Sequence, residues 1–205
     1  AKTSDPAATG LPADPSALFA GTADTARAPK VVYPNDGVLV PPNLGKLELH
    51  WLRGSADNAL FEIAVQSPVV DVKIYTNCPV QLGGGCIFTP DAKIWRWIAE
   101  NNRGGEATVT VRGTGTAGGT VGTSANLKIA FAQDDLIGAL YYWTAAEASA
   151  DTRIVRWDFG STTQTTPDLI VTPARTEDHC VGCHSVSSDG TKLFVAAEGS
   201  YDAFV

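Results

Sequence analysis

The sequence predicts a mainly β chain: a β-sandwich with one helix inserted, followed by a small β-rich segment. Three observations lead there. Apolar and polar residues alternate over Lys46 to Leu52, with Leu47, Leu49 and Trp51 on one side and Lys46, Glu48, His50 and Leu52 on the other; successive side chains of a strand leave opposite faces, so this is a half-buried strand. The 20 Gly and 12 Pro, together with abundant Thr, break the chain into short runs separated by turn signals such as Pro34-Asn35-Asp36-Gly37. Only one stretch has the texture of a helix.

Residues 1–29 are rich in Ala, Pro, Thr and Asp and are expected to form a flexible lead-in. Val31-Val32-Tyr33 reads as a short strand stopped by Pro34. Leu60 to Val65 and Val69 to Tyr75 continue the β pattern. The helix follows: Thr89 as cap, Pro90 and Asp91 in the first turn, Ile94, Trp97 and Ile98 on one face, and Arg103-Gly104-Gly105 as its end. Ala107 to Arg112 and Leu127 to Phe131 resume as strands around a Gly/Thr-rich segment. Residues 30–133 thus fit a sandwich of immunoglobulin type, which does not itself require the helix. In 134–205, Ala139 to Trp143 and Arg153 to Asp158 read as two strands around a polar turn, Leu169 to Val171 as a third, and Ser188 to Val195 as a turn feeding another.

The formal charge is −7 and the 15 Lys and Arg are scattered, so nucleic acid is not an expected partner. No apolar run approaches the length of a transmembrane segment. The sequence begins at Ala1 and contains no Met, which leads to the expectation of a removed secretory signal and a periplasmic, cell-surface or extracellular location. Cys78 and Cys86 bracket a Gly-rich loop and are expected to form a disulfide in an oxidising compartment.

The other two cysteines carry the chemistry. Cys180-Val181-Gly182-Cys183-His184 is a C-x-x-C-H string. Two thiols at this spacing reach the two vinyl groups of haem, and the adjacent His is placed to ligate the iron. One covalent c-type haem is therefore expected on Cys180, Cys183 and His184. A thioredoxin-like redox pair, a metal site that also draws on His179, and a strained disulfide across two residues are the competing readings.

The stretch from Cys180 to Val195, C-x-x-C-H followed by Ser-x-Asp-Gly-x-x-Leu, resembles secreted bacterial monohaem proteins in which this motif adjoins a TolB-like or WD40-like propeller strand. Val31 to Asp135 is similar to the sandwich domain preceding the motif in such proteins. The resemblance implies haem attachment at Cys180, Cys183 and His184 only. The sequence departs from that pattern by stopping at Val205, about one strand into the propeller.

Without Met, the iron cannot take His/Met ligation from this chain. His50 and His179 are the candidate distal ligands. His50, on the polar side of its strand, is preferred within one chain; His179, next to Cys180, suits ligation of a haem in a neighbouring copy. The leading expectation is an electron-transfer protein, not an enzyme, working with a redox partner protein or with copies of itself. The alternatives are an adhesin or filament subunit in which haem is secondary, and a five-coordinate haem enzyme or sensor.

Overall fold

The computed structural model describes residues 1–144, 152–161, 163–176, 181–197 and 200–204, with no side chains described at 197 or 200–204. The chain is mainly β, with sandwich-type architecture. It divides into two compact units, Ala1–Leu136 and Ile137–Val205.

The first unit holds twelve strands, one α-helix and two short 3-10 helices (Pro15–Ala20 and Thr25–Arg27); the strands and α-helix are β1 (Lys2–Ser4), β2 (Thr22–Ala23), β3 (Lys30–Tyr33), β4 (Val38–Val40), β5 (Leu49–Leu52), β6 (Leu60–Gln66), β7 (Asp71–Thr76), β8 (Val80–Leu82), β9 (Gly85–Phe88), α1 (Ala92–Asn101), β10 (Glu106–Thr114), β11 (Thr120–Thr123) and β12 (Leu127–Phe131). Eight strands make one sheet along the path β1-β7-β6-β10-β11-β2, with β12 also on β10 and β4 on β12. The nine-residue β10 lines β6 along one edge and shares its other edge between β12 and β11. The second sheet runs β3-β5-β9-β8. Their inner faces share one core, in which Leu49, Trp51 and Phe88 of the smaller sheet meet Phe61, Ile63, Val109 and Ile129 of the larger. Burial of Leu47, Leu49 and Trp51 follows the alternation in the sequence, while Leu52 is exposed.

The helix differs in detail from expectation. Asp91, not Thr89, is its cap, and its carboxylate accepts from the Lys93 and Ile94 amides. Trp95, Ile98 and Ala99 are the buried positions, with Ile94 packed beside them, whereas Trp97 is exposed. Trp95 takes the inner place because its indole N–H donates to the Leu44 carbonyl at 2.9 Å and its ring lies 5.8 Å from that of Phe131.

The Gly-rich stretch between Cys78 and Cys86, expected as a loop, is a two-residue hairpin between β8 and β9 in which Leu82 pairs with Gly85. Gly83 and Gly84 have φ of 55° and 79°, the left-handed conformation that both central residues of a type I′ turn need. The expected disulfide joins Cys78 to Cys86.

Residues 1–29 are not a flexible lead-in; they are built into the larger sheet. β1 pairs with β7 and β2 with β11, both parallel. Phe19 packs with Leu60, Tyr75 and Val121 on the face turned away from the main core. Two polar clamps hold the segment. Arg27 donates twice to Asn58 Oδ1, and Asn58 Nδ2 donates to the Arg27 and Arg53 carbonyls. Arg112 donates to the buried Glu62 at 2.7 Å and to the Phe19 carbonyl at 2.6 Å, with its guanidinium 5.6 Å from the Phe19 ring centre. The Tyr75 hydroxyl also donates to Glu62; burial first and the Glu62 carboxylate second push its ionisation upward. Composition suggests disorder here because the anchorage is polar and long-range.

The second unit contains two antiparallel three-stranded meanders. One is β13 (Ala139–Thr144), β14 (Arg153–Asp158) and β15 (Asp168–Val171); the other is β16 (Val181–Val186), β17 (Leu193–Ala197) and β18 (Ser200–Phe204). Ile154, Val171, Val181, Leu193 and Val195 form their common core.

Candidate functional site

The C-x-x-C-H string enters β16. Cys180 and His179 lie outside the described residues. Val181 is fully buried, which anchors the strand, and its amide donates to Thr152 Oγ1 at 3.1 Å. The pairing of β16 with β17 shifts register between Val181 and His184, so the ladder is irregular within the motif itself. On the far side the strand is closed by a tight turn. Asp189 accepts from the hydroxyls of Ser187 and Thr191 and from the Thr191 amide. These bonds, that from Ser187 foremost, hold its carboxyl down to about 2.

Cys183 is an exposed free thiol. His184 is half-buried, with Nε2 3.3 Å from the Tyr141 carbonyl. A carbonyl only accepts, so a hydrogen bond at this contact is donated by Nε2–H. The imidazole lines a cleft of about 490 Å³ together with Tyr141, Arg156, Ser185 and the Ser187-Ser188 turn, a volume within the range of small-molecule and cofactor sites. Tyr141 and Arg156 are direct cross-strand partners, and the guanidinium sits 5.7 Å from the Tyr141 ring centre. Arg156 Nη2 is also 2.6 Å from Asp158. Sequence reading missed both residues, although the register of the hairpin between β13 and β14 places them opposite one another.

The donors suit haem in kind: a thiol open to solvent, an imidazole next to it, an aromatic wall and a cation. Their present arrangement is that of a strand, where consecutive side chains leave opposite faces, and Cys183 does not line the cleft that His184 lines. A group bonded to both residues therefore requires β16 to bend at the position where its ladder is already irregular. Iron ligation through Nε2 also requires release of the Tyr141 carbonyl.

His50 belongs to the first unit. Its Nε2 is 3.0 Å from Glu48, whose other oxygen is 3.0 Å from Lys46 Nζ, and its ring centre is 5.1 Å from that of Tyr33. The bonds from His50 and then Lys46 hold the Glu48 carboxyl below its ordinary value. A carboxylate on one ring nitrogen is the arrangement that orients metal-binding imidazoles, and it leaves Nδ1 as the free donor. Among the described residues, no three His, Cys, Asp or Glu side chains converge as a metal-ion site. No helix among them is long and apolar enough to cross a membrane. No protein-family model matches the chain, and no curated protein is detectably similar to it.

Proposed function

We propose that the chain is a c-type cytochrome module that carries one haem bonded to Cys180 and Cys183, with His184 as the proximal ligand, and transfers electrons outside the cytoplasm. The observation that carries this reading is the C-x-x-C-H spacing, with its His lining a cofactor-sized cleft and its second Cys exposed. When bound, haem supplies one-electron chemistry. The protein's own contribution is to present two thiols and an imidazole, to wall the cleft with Tyr141, and to set a cation beside it. The Cys78–Cys86 disulfide supports an oxidising compartment, which thioether formation in secreted cytochromes shares. His50, oriented by Glu48, and His179 are the candidates for the opposite face of an iron, with a redox partner protein or a neighbouring copy as the electron acceptor.

The test is a denaturing gel of the chain purified from its natural host and stained for haem peroxidase activity. Covalent haem survives denaturation and stains; Cys183→Ser, which removes one anchor, stains weakly or not at all. A chain that remains unstained under these conditions carries no thioether-bound haem, and the reading fails.

A further inference from the structure

The Cys78–Cys86 disulfide lies just beyond the end of β7, where the amino-terminal segment is also tied down. Among the described residues, Cys78 is the one non-glycine residue with a positive φ, 60°. A side chain in that left-handed region crowds its own backbone. Pro79 follows it, and a proline ordinarily drives the preceding residue into extended backbone. Two local preferences thus oppose the conformation, and the covalent bond to Cys86 on β9 holds against them.

The residues just before Cys78 carry the segment. β1 pairs in parallel with Lys73–Tyr75 and covers one edge of β7, whose other edge is taken by β6. The buried Asp5 continues the contact: its amide donates to the Tyr75 carbonyl at 2.8 Å, and its Oδ2 accepts from the Thr76 hydroxyl at 2.8 Å. Thr76 Oγ1 in turn accepts from the Cys78 amide at 3.3 Å, and Asn77 Nδ2 donates to the Thr9 carbonyl at 2.7 Å. Asp5 and Thr9 are therefore fastened by the two residues that precede the left-handed cysteine. The far end of the segment is fastened elsewhere, by β2 on β11 and by Arg112 on the Phe19 carbonyl.

We propose that the Cys78–Cys86 bond is a redox latch on residues 1–9, a device independent of the haem reading. In exchange with a dithiol reductant, one thiolate of the reductant attacks a cysteine sulfur, the Cys78–Cys86 bond breaks and the other sulfur leaves as a thiolate. The second thiol of the reductant then displaces the cysteine held in the mixed disulfide. The cysteine pair gains two electrons and two protons, and the reductant leaves as a disulfide. Both cysteines are buried, so the attack follows local opening of β8, a three-residue strand exposed along its length and paired with β9 at the end of its sheet. Once freed, Cys78 relaxes to negative φ, which turns its amide from Thr76 and carries Asn77 away from Thr9. Asp5 and β1 are released, and the edge of β7 stands open to another strand.

Backbone hydrogen exchange of the full chain, with and without dithiothreitol, tests the latch, and intact mass after alkylation counts the thiols opened. The amides of Asp5, Ala8 and Lys73 are all bonded within the latch. They should exchange about tenfold faster after reduction, a factor set by the cost of a left-handed residue. Thr22 and Asp24, whose amides donate to Gly119 and Val121, should keep their rates. Two variants separate the conformation from the mere loss of a cross-link. Cys78→Ser with Cys86→Ser should match the reduced chain. Cys78→Gly with Cys86→Ser should stay closer to the oxidised parent, because glycine accepts positive φ without crowding. Equal exchange in the two variants overturns the proposal, and so does a disulfide that withstands dithiothreitol while the chain stays folded. Unchanged rates at Asp5, Ala8 and Lys73 after reduction overturn it, as does an acceleration that reaches Thr22 and Asp24 equally, which marks general loosening of the unit.

Discussion

Removal of Arg112 exposes how the amino-terminal segment is held. Glu62 lies on β6 with its side chain only 3% exposed. Arg112 meets it at 2.7 Å, Lys73 stands 3.9 Å away, and the Tyr75 hydroxyl donates at 2.9 Å. In Arg112→Ala the carboxylate keeps the hydroxyl and the distant ammonium but loses its direct cation. Stripping one partner from a buried pair costs about 3–5 kcal/mol. Arg112 is a quarter exposed and two partners remain, so we expect the lower end, about 3 kcal/mol. Loss of the donor to the Phe19 carbonyl and of the guanidinium over the Phe19 ring falls within the same figure. For a unit spanning Ala1–Leu136, that is a drop in Tm of about 10 °C. Calorimetry and urea unfolding measure it, and limited proteolysis within residues 1–29 follows the release of the segment. Adding Glu62→Gln to Arg112→Ala should recover more than half of the loss, because a neutral amide leaves no buried charge behind. A single variant within about 0.5 kcal/mol of the parent, the range of ordinary surface changes, or a double variant no better than the single, refutes the reasoning.

Further expectations concern other elements. Gly122→Ala should destabilise the first unit by about 1–3 kcal/mol, because a Cβ there overlaps the Arg27 carbonyl; urea unfolding measures it, and a neutral result contradicts the close passage of residues 27–28 over β11. Replacing Cys78 and Cys86 with Ser should cost about 2.5 kcal/mol from the loss of a short closed loop, read as a shift in urea midpoint. Asp189 has its carboxyl held down to about 2, below the ordinary value of about 3.9. A depressed carboxyl stabilises the fold above its ordinary value and loses that contribution as pH falls towards the folded one. The turn between β16 and β17 should therefore loosen between roughly pH 4 and pH 2, and Ser187→Ala should move the Asp189 titration upward in carboxyl NMR.

Much of the sandwich is legible in the sequence because its signals are local. Leu47, Leu49 and Trp51 alternate with polar neighbours and are buried as a set. The antiparallel pair β13 and β14 matches the two strands expected there; the polar turn expected between them lies outside the described residues. What escapes reading is held by residues far apart. Arg27 and Asn58 are 31 positions apart, and Glu62 and Arg112 are 50 apart, so no period marks residues 1–29 as structured. The Gly83-Gly84 hairpin escaped because three consecutive glycines resemble a flexible loop, and only their positive φ values reveal a tight turn. Around the candidate site the same division holds. Cys183 and His184 stand out by spacing alone, whereas Tyr141 and Arg156 acquire meaning only through strand register. The strand conformation of the motif was not legible either, because Val181, which anchors it, shows its burial only once β16 is packed.

The measurement that bears most directly on the account is the intact mass of the chain isolated from its natural host, recorded alongside a Cys180→Ala, Cys183→Ala double variant. The account predicts a parent mass raised by one haem that persists through denaturation, an unmodified mass in the double variant, and two fewer hydrogens in both from the Cys78–Cys86 bond. A parent of unmodified mass with thiols at Cys180 and Cys183 open to alkylation contradicts it.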